Sequence, residues 1–324
     1  MNQASARAAV LETEPAKPDF LRETIAGLSH SPRTLPCKFF YDQRGAELFQ
    51  QICELPEYYI TRTELQILQT RGDEMAEHVN SGIELIGLGT GAGTKTRILL
   101  ENLHNPAVYV PVDISSEQLA QSTALFRQLF PRLEILPVCT DYLQPFRLPT
   151  ASREITRKVV YFPGSTIGNF EPDAAGNFLR RIADHCGAGG GLLIGVDLQK
   201  EHDVLERAYN DSQGVTAQFN LNLLERANRE LGANFDLTLW QHRAIYNSEE
   251  GRIEMHLISK TDQVVRINDR QFQFQAGEKI ITEFSYKHTP EGFAALAGKA
   301  GFEFEKIWTD EARLFGVFYF SVPM

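Results

Sequence analysis

The stretch from Ile83 to Thr96 reads Ile-Glu-Leu-Ile-Gly-Leu-Gly-Thr-Gly-Ala-Gly-Thr-Lys-Thr, an apolar run feeding a turn with glycine at Gly87, Gly89, Gly91 and Gly93. Ile98, Leu99, Leu100 and Leu103 follow at helical spacing. A strand, a glycine turn and a helix in succession let a backbone approach a nucleotide closely, since glycine tolerates conformations other residues avoid and has no side chain to hold the ligand off. A second apolar run, Tyr109-Val110-Pro111-Val112, ends in Asp113. A carboxylate at that strand tip can accept one hydrogen bond from each ribose hydroxyl. The chain is therefore expected to hold a cofactor of adenosine type.

The pattern around this unit extends it into a sheet. Strands are expected near 133–138, 158–162 and 192–196, alternating with helices that start at Ser115-Ser116-Glu117 and near 173–186. Such alternation means a parallel, doubly wound sheet with ligands beyond the carboxyl ends of its strands. Before it lie two helical segments, Phe20 to Leu28 and Gly45 to Leu55, and an aromatic turn from Leu55 to Arg62. Thr63 with Gln66 three residues later resembles a capping box opening a helix to Val79. After Asp197 a polar helical stretch (202–231) precedes strand-like alternation at 240–259 and 263–274, an α+β composition. A helix near 292–300 and a strand near 314–322 return to the earlier pattern.

Among 324 residues, 43% are apolar and 23% charged, ordinary for a globular protein, and the net charge is −10. That balance argues against a nucleic-acid grip, which needs a basic face, and against docking on an anionic membrane. Cys37, Cys53, Cys139 and Cys186 are scattered without metal-ligand spacing, which suits reduced thiols in a cytoplasmic protein. No apolar run approaches the ~18 residues of a membrane span. Residues 1–18 are Ala/Glu/Pro-rich, lack the pattern of a signal peptide and are expected to be disordered.

The glycine turn admits three nucleotide readings. A phosphate-binding loop needs G-x-x-x-x-G-K-[ST], and Gly89 to Thr96 fits except that Thr94 stands where the second glycine must be. A dinucleotide fold wants G-x-G-x-x-G/A, which Gly87, Gly89 and Ala92 satisfy, but no acid/base pair for hydride transfer stands out. An S-adenosylmethionine site uses the same turn with acids after the second and third strands, the places of Asp113 and Asp141. There Asp113 binds the ribose, while Asp141 and Tyr142 hold the adenine. Pro163-Gly-Ser-Thr-Ile-Gly-Asn169 follows the fourth strand, where residues facing a transferred methyl are placed. Asn169 can offer its NH₂ to a carboxylate and its carbonyl to an amine.

Longer motifs carry a family resemblance. They are Leu35-Pro-x-Lys-Phe-Phe-Tyr-Asp, Leu55-Pro-Glu-Tyr-Tyr-x-Thr-Arg-Thr-Glu, Gly164-Ser-Thr-Ile-Gly-Asn, Arg207-Ala-Tyr-Asn-Asp with Gly214-Val-Thr-Ala-x-Phe-Asn, Arg252-Ile-Glu-Met and Thr282-Glu-x-Ser-x-Lys. Together they resemble the histidine-specific methyltransferases, which make hercynine on the way to ergothioneine. The resemblance implies an α/β fold, with a Rossmann-like class I methyltransferase domain (63–197 plus 287–324) and a second α+β substrate-binding domain (19–62 plus 198–286). It implies that Tyr58, Asn169 and Tyr209 hold the α-amino and α-carboxylate groups of histidine, Tyr58 and Asn169 next to the reacting amine. Glu283 and Ser285 then bond the imidazole, and Met255 and Phe49 shape the pocket. Tyr41, Gly87, Gly89, Lys95, Asp113, Asp141, Tyr142 and Gly164 line the cofactor site.

Two departures stand out: the glycine turn is lengthened before Lys95, and Tyr142 replaces a common phenylalanine. The implied reaction is in-line methyl transfer to a neutral amine, three times over. It needs alignment, worth up to roughly 7–11 kcal/mol in ideal cases, and no metal. Aromatic faces at Tyr41, Tyr58 and Tyr209 suit a growing ammonium. Other amino acids, such as tryptophan, are an alternative substrate, and a nicotinamide-dependent oxidoreductase is an alternative class. A monomer acting on free histidine in the cytoplasm is expected.

Overall fold

Every residue of Glu84–Leu88, Val108–Asp113 and Gly191–Asp197 is buried, so these strands need cover on both faces. The structure, a computed structural model, describes residues 11–12 and 19–324 apart from 90 and 92. Its main sheet runs in the order Leu11–Glu12, Val138–Cys139, Val108–Asp113, Glu84–Leu88, Lys158–Phe162, Gly191–Asp197, Phe315–Ser321, Glu303–Thr309. Phe315–Ser321 pairs antiparallel with both its neighbours, whereas the strands from 84 to 197 pair parallel. A dinucleotide fold instead sets a parallel sixth strand beside the fifth. The chain builds outward from Glu84–Leu88 in both directions, and the reversal leaves a crevice beyond the carboxyl ends of Glu84–Leu88 and Lys158–Phe162.

Helices close both faces. Tyr59–Val79 and Ser116–Leu129 bring Ile67, Leu68, Met75 and Phe126 against Leu85, Tyr109 and Tyr161. Pro172–Cys186 and Pro290–Lys299 bring Phe178, Leu179 and Phe293 against Ile86, Val110, Phe162 and Phe318 on the other face. Each fully buried Leu, Val or Phe contributes about 1.5–3 kcal/mol.

A second sheet stands over the crevice, in the order Arg33–Thr34, Lys279–Tyr286, Arg252–Ser259, Trp240–Asn247. A separate hairpin joins Gln263–Ile267 to Arg270–Phe274. Met255 sits directly opposite Glu283, and a bulge follows between Met255 and His256. His256 turns to Glu254 on the other face, 3.0 Å away, as alternation along a strand requires.

Four expectations are corrected. The helix expected to open at Thr63 begins at Tyr59, without a side-chain cap at Tyr58. Tyr59 and Ile60 are 2% exposed, and their burial draws the aromatic turn into the helix. The third strand breaks into Glu134–Ile135 and Val138–Cys139, because Pro137 has no N–H to give the ladder. The stretch 202–231 is two helices, His202–Tyr209 and Val215–Leu231, parted at Gly214 with φ 71°. Within the N-terminal segment expected to be disordered, Leu11–Glu12 forms a short strand parallel to Val138–Cys139; the rest of 1–18 lies outside the described residues.

Candidate active site

One half of the candidate site is built on the carboxyl ends of the strands from Glu84–Leu88 to Lys158–Phe162. Gly89, Gly91 and Gly93 all take positive φ, at 61°, 49° and 77°. They differ in what a side chain would meet. A Cβ on Gly93 would lie 2.8 Å from the Phe126 ring, one on Gly89 3.4 Å from the Tyr142 ring, and one on Gly91 would meet nothing within 4 Å. Gly93 thus serves helix packing, while Gly89 and Gly91 face the crevice. Gly87 lies within the first strand, buried beside Pro111.

Asp113, 9% exposed, accepts from the Gly91 N–H (3.3 Å) and the Ser115 N–H (3.0 Å). Burial raises its pKa, and those two N–H groups resist the rise. Asp141 caps its own turn through the Leu143 N–H at 2.8 Å. The neighbouring Tyr142 ring packs edge-on against Phe162 and Phe178, 5.7 and 6.1 Å between centroids.

Lys95 follows the turn on helix Thr94–Asn102 and is held by a partner the sequence reading missed. Its Nζ lies 2.5 Å from Oε2 of Glu64, whose side chain is fully buried. Glu64 also accepts the Gly164 N–H at 3.0 Å. Gly195 makes room, because a Cβ there would stand 2.3 Å from Glu64 Oε1. After Gly164 the chain stays left-handed through Ser165 (φ 59°), whose Oγ accepts from the Asp197 N–H at 2.8 Å. Asn169 ends the short helix that follows and makes no hydrogen bond through its side chain among the described residues. Gly168 lies tight against strand Lys279–Tyr286: a Cβ there would be 2.7 Å from the Tyr286 carbonyl oxygen.

The second half is a ring of aromatics around one carboxylate. Phe49 meets Tyr41 at 5.5 Å, Tyr58 at 6.3 Å and Phe219 at 6.0 Å, and Tyr58 meets Tyr209 at 6.2 Å. Glu283 stands among them and accepts no hydrogen bond among the described residues. Burial pushes its pKa up to about 7, against the pull of the Lys287 ammonium. Its charge in turn raises Cys37, Tyr41, Tyr58 and Tyr209, in each case adding to burial. Tyr41 is 48% exposed, and its ring is edge-on to Phe49. Cys37 and Tyr41 lie near enough to Tyr142 for their charges to act on one another.

Ser285 and Tyr209 do not point freely into this space. They are 3.0 Å apart, and Lys287 donates to both, at 2.8 and 3.0 Å. Lys287 also pairs with Asp197 at 2.8 Å, both side chains wholly buried. Asp197 further accepts from Tyr59 (2.8 Å) and from Lys200. Burial works against all three charges. The pairing wins at Asp197, which is lowered, and at Lys287, which is raised, whereas Lys200 falls to about 8.

A family model described as histidine-specific methyltransferase, SAM-dependent, matches residues 20–322. The chain belongs to that family. Among curated relatives, the histidine N-alpha-methyltransferase of Mycolicibacterium smegmatis is 41% identical over 95% of this chain and 96% of its own. That of Mycobacterium tuberculosis is also 41% identical, over 91% of this chain and 92% of its own. Ergothioneine biosynthesis protein 1 of Neurospora crassa is 32% identical over 86% of this chain but only 32% of its own length.

For this histidine-specific methyltransferase, the functional residues that sequence reasoning passed over left a trace. Glu64 ends the Tyr-x-Thr-Arg-Thr-Glu motif, and Lys287 ends Thr282-Glu-x-Ser-x-Lys. Asp197 closes the fifth strand as Asp113 closes the second.

Proposed function

We propose that this chain methylates the α-amine of L-histidine three times at the expense of S-adenosylmethionine, giving hercynine for ergothioneine biosynthesis. The observation that carries this reading is Glu283, an unpartnered carboxylate inside an aromatic cleft, opposite Met255 and two residues from Ser285. A carboxylate so placed selects a ligand with an N–H to offer, and the family is histidine-specific.

The residues present fit the cofactor. Asp113 keeps acceptor capacity beyond its two backbone partners, and Gly91 leaves open space beside it while Gly89 lies against the Tyr142 ring. In this reading Asp113 takes the ribose hydroxyls, and Asp141 and Tyr142 flank the adenine. Gly87, Gly89 and Gly164 give backbone approach to the methionine part. Lys95, neutralised by Glu64, fixes the floor rather than offering a free charge, and Tyr41 closes the side. The bound cofactor supplies an electrophilic methyl group on sulfur.

The chain's own residues do the rest. Tyr58, Asn169 and Tyr209 hold the amine and carboxylate, and Tyr58 orients the nitrogen lone pair and passes its proton to water. Tyr41, Phe49 and Tyr58 present ring faces and edges to the growing ammonium. Helices and strands of 19–62 and 198–286 form the substrate-binding unit in this proposal, and 63–197 with 287–324 form the methyltransferase unit. Among the described residues no helix is long and apolar enough to cross a membrane, and no disulfide is formed. With the net charge of −10, these features support a cytoplasmic protein, which in this proposal acts as a monomer on a free amino acid.

Mass spectrometry after incubation with S-adenosylmethionine and an equimolar mixture of amino acids tests the reading. Histidine alone is expected to gain three methyl groups in place of three protons. Methylation of another amino acid in its stead would overturn the assignment of Glu283.

A further inference from the structure

Lys287 is the one member of the Thr282-Glu-x-Ser-x-Lys motif whose buried charge the proposed function leaves unexplained. Its ammonium has three protons, and three acceptors take them: Ser285 Oγ at 2.8 Å, Tyr209 Oη at 3.0 Å and Asp197 Oδ2 at 2.8 Å. Each hydroxyl thus has one lone pair occupied from behind, and the two hydroxyls also bond each other at 3.0 Å. Two hydroxyl protons remain for that one bond, so one of them is left to point at a ligand.

Charge adds a direction. Asp197 shares its carboxylate between Lys287 and Lys200, two cations on one anion, so the node behind Ser285 is net positive. Tyr59 donates to the same carboxylate, and His288 is kept neutral by burial and by Lys287. Facing Glu283 are Lys287, Cys37, Tyr41, Tyr58 and Tyr209. Lys287 is the only cation in that set.

We propose that Lys287 makes this cleft bind the histidine ring in its neutral form, with Ser285 donating to the unprotonated ring nitrogen and Glu283 accepting from the protonated one. A charged ring would aim its second N–H at Ser285 with an ammonium 2.8 Å behind it, a like-charge arrangement that disfavours protonation. Lys287 is a positioning residue: it touches no substrate atom and acts through Ser285, Tyr209 and the charge of Glu283. The inference rests on histidine being the substrate.

The test is ¹⁵N NMR of ring-labelled L-histidine bound to the full chain with S-adenosylhomocysteine, at about pH 7.5, one unit above the ordinary histidine pKa of ~6.5. The wild type is expected to show one protonated and one unprotonated ring nitrogen. Lys287→Met should raise the pKa of the bound ring by about one unit or more relative to the wild type, read by following both ring ¹⁵N shifts from about pH 5.5 to 8.5, with the histidine KM up about tenfold and kcat much less changed. Lys287→Arg should restore the neutral ring. A doubly protonated ring in the wild type overturns the inference even if Lys287→Met fails to fold, and so does a ring state that Lys287→Met leaves unmoved. Failure of the wild type to bind histidine at all would overturn the substrate reading and this inference together.

Discussion

Glu283 holds its charge at a cost to the fold. Its ordinary pKa of 4.5 rises to about 7, so between those values the folded protein keeps a proton that the unfolded chain has lost. Stability therefore falls as pH climbs toward 7 and stays lowered above it, by about 2–3 kcal/mol once partial contact with water is allowed for. Glu283→Gln should raise the melting temperature of the ligand-free protein at about pH 8 and leave it unchanged near pH 4. Equal melting at the higher pH would show that the carboxylate is better solvated than its surroundings imply. The same residue should govern affinity. Glu283→Ala is expected to raise the histidine KM strongly, measurable by initial rates, and to cost ~2–4 kcal/mol of discrimination, relaxing selection toward larger aromatic amino acids. Glu283 and Ser285 were legible in the sequence because they sit in one motif. The raised pKa was not, since Cys37, Tyr41, Tyr58 and Tyr209 come from segments far along the chain.

Helix Tyr59–Val79 links the two halves of the cleft. Tyr59 near its start reaches Asp197, and Glu64 one turn later holds Lys95 and the Gly164 N–H. Glu64→Ala would leave the half-buried Lys95 ammonium and the Gly164 N–H unpaired beside the proposed cofactor pocket. Affinity for S-adenosylhomocysteine should drop by about 1.5–3 kcal/mol in a calorimetric titration, and histidine affinity by less. Gly195→Ala, whose Cβ would strike Glu64 at 2.3 Å, should do the same without removing a charge; full affinity there would show that Glu64 can move aside. The helix was expected from the sequence, but with a false start at Thr63. A local capping pattern lost to the burial of Tyr59 and Ile60, which depends on elements the local sequence cannot see.

Across the molecule, the alternation of strands and helices from 84 to 197 followed from periodicity, because Glu84–Leu88, Val108–Asp113 and Gly191–Asp197 are apolar runs closed by glycine or a carboxylate, whereas the edge strand Glu303–Thr309, largely exposed and polar, was not legible. The second sheet was legible only as a shift in composition: Arg33–Thr34 and Lys279–Tyr286 pair across most of the chain. Asp197 joins the two sheets, ending the fifth strand while pairing with Lys287 beyond the last strand of the second sheet. Asp197→Ala would strand two buried ammonium groups. A loss of about 3–5 kcal/mol is expected, read as a lower urea midpoint with an unchanged slope. A loss below ~1 kcal/mol would mean that Lys287 and Lys200 find water or another partner.

The pairing of Arg33–Thr34 with Lys279–Tyr286 also sets a schedule for the newborn chain. Arg33 bonds Glu278 across 245 residues. At roughly 5–20 residues per second, its partner leaves the ribosome some 10–50 s after it does. The segment that carries Tyr41, Phe49 and Tyr58 must therefore wait, apolar side chains uncovered, while the first five strands of the main sheet assemble. Slower translation should consequently lengthen the time for which this segment is exposed to aggregation before it is covered.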